Sequence, residues 1–298
     1  MSRTKRNILF GLFLLCLLLV HMNVLGRLFD FSMADVTASH LILIPFVSIG
    51  LIYRDRQAIF SSVQSAVPAG LGAMLIGVGL FLSARLQQGV SDQNDTLSWM
   101  VSAFVVLALG GFLLFYGAKA FQAALFPLLF LGFMIPIPSS LLNGIISILK
   151  SGSTEAVAGL FTLTDTPYFR EGFVFRLPGV AIEIADECSG IRSSIALLLT
   201  SLLAGHLTLR ARWTKALLVL SALPIAVLKN GIRITGLSLL AIHADHSFLT
   251  GQLHHEGGIV FFLLSLAILA PVLLLLRRSE SVQTSRVENF NPAVKAND

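Results

Sequence analysis

Apolar stretches close to 20 residues long follow one another along this chain, with most of the charge in the gaps between them. About 20 apolar residues are what an α-helix needs to cross a hydrocarbon layer of ~30 Å. Lipid-exposed backbone must also pair its polar groups internally, which leaves helices or closed barrels as the spanning forms. The pattern predicts an all-α, polytopic membrane helix bundle of about eight transmembrane helices, at 8–26, 39–53, 66–84, 97–117, 120–138, 188–209, 214–242 and 256–276. Only 12% of residues are charged, against roughly 25% in soluble domains, so a soluble domain is excluded.

The N-terminus, with Arg3, Lys5 and Arg6 ahead of an apolar run, looks like a signal peptide. No small-x-small cleavage site follows, so an uncleaved first helix is expected. Lys and Arg then fix a topology. With a cytoplasmic N-terminus, alternate connections place Arg54 and Arg56, Lys119, Arg210 with Arg212 and Lys215, and Arg277 with Arg278 on one side. The other connections are acidic or mixed. The expectation is an inner-membrane, multi-pass protein with cytoplasmic termini, comprising one integral-membrane domain over 1–278 and a polar, disordered cytoplasmic tail over 279–298. The net charge of +5 flanks spans rather than forming a basic face, and nucleic acid is not an expected partner. Membrane lipids are.

The long segment 139–187 is the one sizeable extramembrane piece. Its first part, 141–160, mixes apolar and polar residues as an amphipathic surface helix does. Two alternating runs, 173–177 and 180–184, flank Pro178-Gly179 and suggest a β-hairpin. A small extracytoplasmic helix and hairpin are therefore expected before the sixth span.

Candidate chemistry concentrates where that segment meets the sixth span, at Asp186-Glu187-Cys188-Ser189-Gly190-Ile191-Arg192. Polar groups beside hydrocarbon are expensive and mark functional sites. A cysteine opening a helix sits where the backbone N–H groups and the helix dipole favour an anion. Arg192 acts in the same direction, while Asp186 and Glu187 oppose it. The ordinary role of a cysteine in an apolar helix is inert packing, which suits Cys16. With only these two cysteines, far apart along the spans, no disulfide is expected.

Arg233 lies near the outer end of the seventh predicted span, with Asn230 three residues earlier on the same face. A guanidinium there either snorkels to headgroups or holds an oxyanion or carboxylate. His254 and His255 close the outer loop before the last span and offer a general base. His-His-Glu in sequence does not put ligands on one helical face, so neither a metal nor another cofactor is expected. Cys188, Arg233 and His254 thus meet at one membrane level by topology, with His255, Arg192, Asn230 and Glu187 as supporting or alternative groups.

These residues resemble the exosortase/archaeosortase family of membrane transpeptidases over roughly residues 31–276. Ser39-His40-Leu41-Ile42-Leu43-Ile44-Pro45 is similar to that family's early Ser-His-Gly-x-Leu-x-Pro helix, and 126–138 to its central Pro-rich span. Cys188-Ser189-Gly190-Ile191-Arg192-Ser193 matches the nucleophile motif and Asn230-Gly231-Ile232-Arg233-Ile234 the Asn-x-x-Arg-Ile motif. His254 precedes Gly258 as the family histidine precedes Gly-Trp-x-x-Phe. Leu41 and Ile259 depart from the usual glycine and tryptophan. The resemblance implies a cysteine protease/transpeptidase that attacks secreted proteins through a thioester on Cys188, with Arg233 and His254 as partners. It implies a C-terminal sorting signal made of a short motif of the Pro-Glu-Pro kind, a transmembrane helix and a basic cluster. The acceptor is left open by the sequence. The alternatives are a transporter or assembly subunit for an exported polymer, which predicts an inverted repeat and polar residues at several depths, and a non-enzymatic envelope scaffold.

Overall fold

The computed structural model describes residues 2–87, 89, 92–245 and 258–290. The all-α membrane bundle expected from the sequence is what the chain forms. Five of the described helices are long and apolar enough to cross a membrane, and up to seven if each of two bent helix pairs counts as one span. The difference from the eight sequence stretches lies in the first 140 residues. Two compact units, Met1–Leu142 and Asn143–Asp298, make up the chain.

In the first unit, α1 (Arg3–Val20) and α2 (Met22–Ala34) meet at a 67° bend. His21 sits in that bend, 2% exposed, with its Nδ1 3.0 Å from the Leu17 carbonyl. The second predicted span is α3 (Leu43–Arg54), only 12 residues, and at 1.5 Å per residue it is too short to cross alone. After α4 (Arg56–Ile59), α5 (Val67–Leu86) and α6 (Gln93–Ala123) pack along each other. Within α6, Gly117 adopts φ 82°, and a Cβ there would overlap the Gln64 carbonyl oxygen. That break is the one the sequence reading placed between its fourth and fifth spans. The fifth is a short α7 (Leu125–Phe130) followed by a 3-10 turn, Leu131–Met134.

The second unit holds the site. Helix α8 (Ser139–Leu163) covers the predicted amphipathic segment. A three-stranded antiparallel sheet follows, β1 (Phe169–Glu171), β2 (Val174–Leu177) and β3 (Val180–Glu183), in the order β1-β2-β3. The hairpin over Pro178-Gly179 is as expected. Strand β1 extends it, and three residues are too few to show an alternating pattern. Arg170 of β1 pairs with Glu155 of α8 at 2.8 Å, and that hydrogen bond raises the guanidinium above its ordinary range.

Beyond the sheet run α9 (Ile191–Thr208), α10 (Arg212–His243) and α11 (Gly258–Phe290). They share a core of Leu197, Leu209, Leu218, Ala222, Ile225, Ala226 and Leu269. Helix α11 continues to Phe290, so 279–290 of the expected disordered tail is helical, and 291–298 lies outside the described residues. Glu280 in that stretch accepts from the backbone N–H groups of Arg210 and Ala211, each at 2.9 Å, and from the Thr214 hydroxyl. The carboxylate thereby caps the N-terminus of α10, where four backbone donors lack helical partners. Glu280→Ala should cost about 1 kcal/mol, visible as a lowered thermal midpoint in detergent. An unchanged midpoint would show that the cap contributes nothing.

The same contact sets the polarity of the unit. Arg210, Arg212, Lys215, Arg277 and Arg278 gather at the α9–α10 connection, and Cys188 lies at the other end of α9, about 27 Å away at helical rise. The C-terminal part of α10 passes beyond that level. Its Ile234 and Ile242 pack on the cluster of Val157, Phe161, Phe175, Leu177, Ile182 and Ile184 formed by α8 and the sheet. The long α10 thus carries an extra stretch that packs on α8 and the sheet.

Candidate active site

Cys188 occupies a 3-10 turn, Asp186–Ser189, that leads into α9. Its thiol-bearing residue is half-buried. Gly190 ends the turn in the left-handed region, φ 75° and ψ 18°, which glycine adopts without the penalty of a Cβ. Space imposes the same demand. A Cβ at 190 would stand 2.9 Å from Asn230 Oδ1 and 3.4 Å from Lys229 Nζ.

Two adjacent residues of α10 hold the two ends of this turn. Asn230 Nδ2 donates to the Cys188 carbonyl at 2.7 Å and to Ser153 Oγ of α8 at 2.9 Å. A carbonyl can only accept, so the amide orientation is fixed by chemistry. Lys229 donates to Ser193 Oγ, and Ser193 in turn donates to the Gly190 carbonyl at 3.0 Å. Lys229 and Asn230 are 2% and 1% exposed. Such burial is costly for an amine, and among the described residues no carboxylate pairs with it.

The register between α8 and α10 comes from small residues. A Cβ on Gly231 would meet Ala156 Cβ at 2.7 Å, and one on Gly152 would meet Val227 Cγ2 at 3.1 Å. Small residues four apart let helices approach closely where the hydrophobic effect cannot drive them together. That approach brings Ser153 within reach of Asn230. Two buried polar atoms here, Ser189 Oγ and Asn230 Oδ1, find no partner among the described residues.

The expected residues fall as follows. Cys188 and Asn230 are joined directly. Arg233, half-buried, lies on α10 one turn beyond Asn230. It stands ten residues before the helix end rather than near it, because α10 continues past the site to reach the sheet. Glu187 and Arg192 are exposed and in no ion pair among the described residues. Asp186 instead takes the outer role, bonded at 2.9 Å to Lys150 of α8, whose ammonium lies 4.4 Å from the Phe173 ring centroid. His254 and His255 lie outside the described residues. Sequence reasoning did not single out Lys229, Ser193, Ser153 or Lys150. A lysine inside an apolar run was a visible signal for the first; the serines gave none.

A thiol is thus presented at the mouth of a membrane span, on a turn gripped from below by buried polar side chains. The model for transmembrane exosortases matches residues 32–271. This chain belongs to the transmembrane exosortase family. That family is one of membrane cysteine transpeptidases acting on secreted proteins with C-terminal signals. No curated protein and no solved structure matches the chain. Among the described residues no group of three or more His, Cys, Asp or Glu could hold a metal ion.

Proposed function

We propose that this exosortase cleaves secreted proteins at a C-terminal sorting signal through a thioester on Cys188, and passes the acyl group to an acceptor nucleophile. The observation that carries this reading is the grip of Asn230 on the Cys188 carbonyl, which fixes the thiol-bearing turn at the end of a span. Positioned nucleophiles gain much of their rate from such fixing. The thiolate attacks the scissile carbonyl carbon, the C–N bond breaks, and the leaving amine takes a proton. The acceptor then attacks the thioester carbon and the C–S bond breaks, returning the thiolate.

Arg233 is assigned to the oxyanion, a charge it can meet with two parallel N–H groups. His254, with His255 as the alternative, is assigned to proton transfer, while Arg192 and Glu187 are left as outer, exposed groups. The signal is a short motif, an apolar helix and a basic cluster. A substrate helix in the bilayer confines the search to two dimensions and holds the scissile bond at the interface. In this reading the active face is periplasmic or outer, the basic end of the second unit faces the cytoplasm, and the inner membrane is the location.

The test is to trap the intermediate. With a co-expressed secreted protein from the same genome that ends in such a signal, a Cys188 adduct should form that neutral hydroxylamine releases. A processed substrate with no adduct, or an adduct that survives in a Cys188→Ser protein, would sink the thioester.

A further inference from the structure

Strand β3 is the edge of the sheet that leads into the cysteine turn, since only four residues separate Glu183 from Cys188. The sheet register decides which of its backbone groups face outward. Strand β3 pairs with β2 as Val174↔Glu183, Phe175↔Ile182, Arg176↔Ala181 and Leu177↔Val180. The same register continues to Phe173 and Ile184, whose backbone N–H donates to the Phe173 carbonyl at 3.0 Å. In an antiparallel ladder hydrogen-bonded and non-bonded pairs alternate. Phe175–Ile182 and Leu177–Val180 are therefore bonded pairs, and the N–H and C=O of Ala181 and Glu183 point away from β2.

Nothing among the described residues pairs with them, and both residues are exposed. The opposite face of the strand is anchored, with Ile182 and Ile184 in the α8–sheet core. So β3 has two outward donors and two outward acceptors, and the chain runs on from it into the Cys188 turn. Unpaired edges of this kind are templates for another extended chain. A bond can be attacked by a thiol on this turn only if the chain carrying it lies stretched along the mouth of the span. The edge supplies that path.

We infer that the extended segment flanking the scissile bond of the secreted substrate binds as a fourth strand on the β3 edge, through the main chain of Ala181 and Glu183. Main-chain pairing supplies affinity that is indifferent to side chains, which leaves motif selection to groups nearer the turn. The inference rests on Cys188 being the nucleophile, because the direction of β3 has meaning for the substrate only then.

Two measurements test it. Ala181→Pro deletes an outward N–H that β2 does not use, and edge positions of that kind accept proline. Loss of about one hydrogen bond should raise KM roughly tenfold while kcat stays within a factor of about two. A fall in kcat with KM unchanged overturns the inference. The second measurement needs no chemistry: a photo-crosslinking amino acid at position 181 of a Cys188→Ala protein, co-expressed with a secreted protein that ends in motif, apolar helix and basic cluster. Crosslinking to the segment beside the motif supports the fourth strand. Crosslinking to a second copy of this chain, or to nothing, overturns it. Normal processing by Cys188→Ala would instead overturn the nucleophile, so the two failures are told apart.

Discussion

Cys188→Ala and Cys188→Ser should each abolish substrate processing, by at least about 10³-fold, while leaving the protein inserted and folded. The structural half of this expectation follows from the bonds at position 188. Its N–H goes to the Ala185 carbonyl at 3.0 Å and its C=O accepts from Asn230. Both are main-chain bonds that alanine and serine keep. The Asp186–Lys150 bridge and the left-handed Gly190 also stay in place. Only the sulfur is lost. Serine keeps the shape, but its hydroxyl is a weak nucleophile without a strong base beside it. Pulse-chase of a tagged substrate, alongside the thermal midpoint of the purified variant, separates chemistry from folding. Processing at the native rate in either variant removes the cysteine mechanism altogether.

The second large effect is expected at Asn230. Asn230→Leu keeps the branched shape but deletes both donors, leaving the Cys188 carbonyl and Ser153 Oγ without their partner beside the buried position 230. A stranded buried polar group costs about 1–3 kcal/mol, so a total of about 2–6 kcal/mol is expected for the two. The turn would lose the hydrogen bond that fixes its height at the span mouth. Both the thermal midpoint and kcat should fall, kcat by about 10²-fold, the scale seen when a reacting group is misplaced by about 1 Å. A variant with native kcat would show that the grip on the carbonyl does not set the geometry of the reaction.

Lys229 and Asn230 together explain why a glycine and a serine flank the cysteine motif. The amine needs the Ser193 hydroxyl, the amide needs the Cys188 carbonyl, and both approach a backbone with no side chain at 190. The motif Cys-Ser-Gly-Ile-Arg-Ser is therefore as much a docking surface for α10 as a carrier of the thiol.

Much of the fold was legible because hydrocarbon imposes a simple rule on sequence. The five longest spans, the break at Gly117, the hairpin over Pro178-Gly179 and the basic connections could be read from apolar length, one glycine and turn chemistry. The first 140 residues were read less well, since a bent pair and a 12-residue helix carry the same apolar signal as straight spans. In the site, Cys188 and Asn230 were legible as polar residues at the edge of apolar runs. Ser153 was not, because a serine in an amphipathic helix looks the same whether it faces water or a partner.

The sequence by itself determined that this chain lives in a membrane as a bundle of apolar helices. Composition and charge suffice for that, because the bilayer acts on each segment separately. Only the tertiary structure decided that Asn230 holds the cysteine's carbonyl, that Lys229 is buried against Ser193, and that the backbone groups of Ala181 and Glu183 on β3 face away from β2. Those depend on how closely α8 and α10 approach at Gly152, Ala156 and Gly231, and on ladder register, which are distances between segments that no single segment encodes.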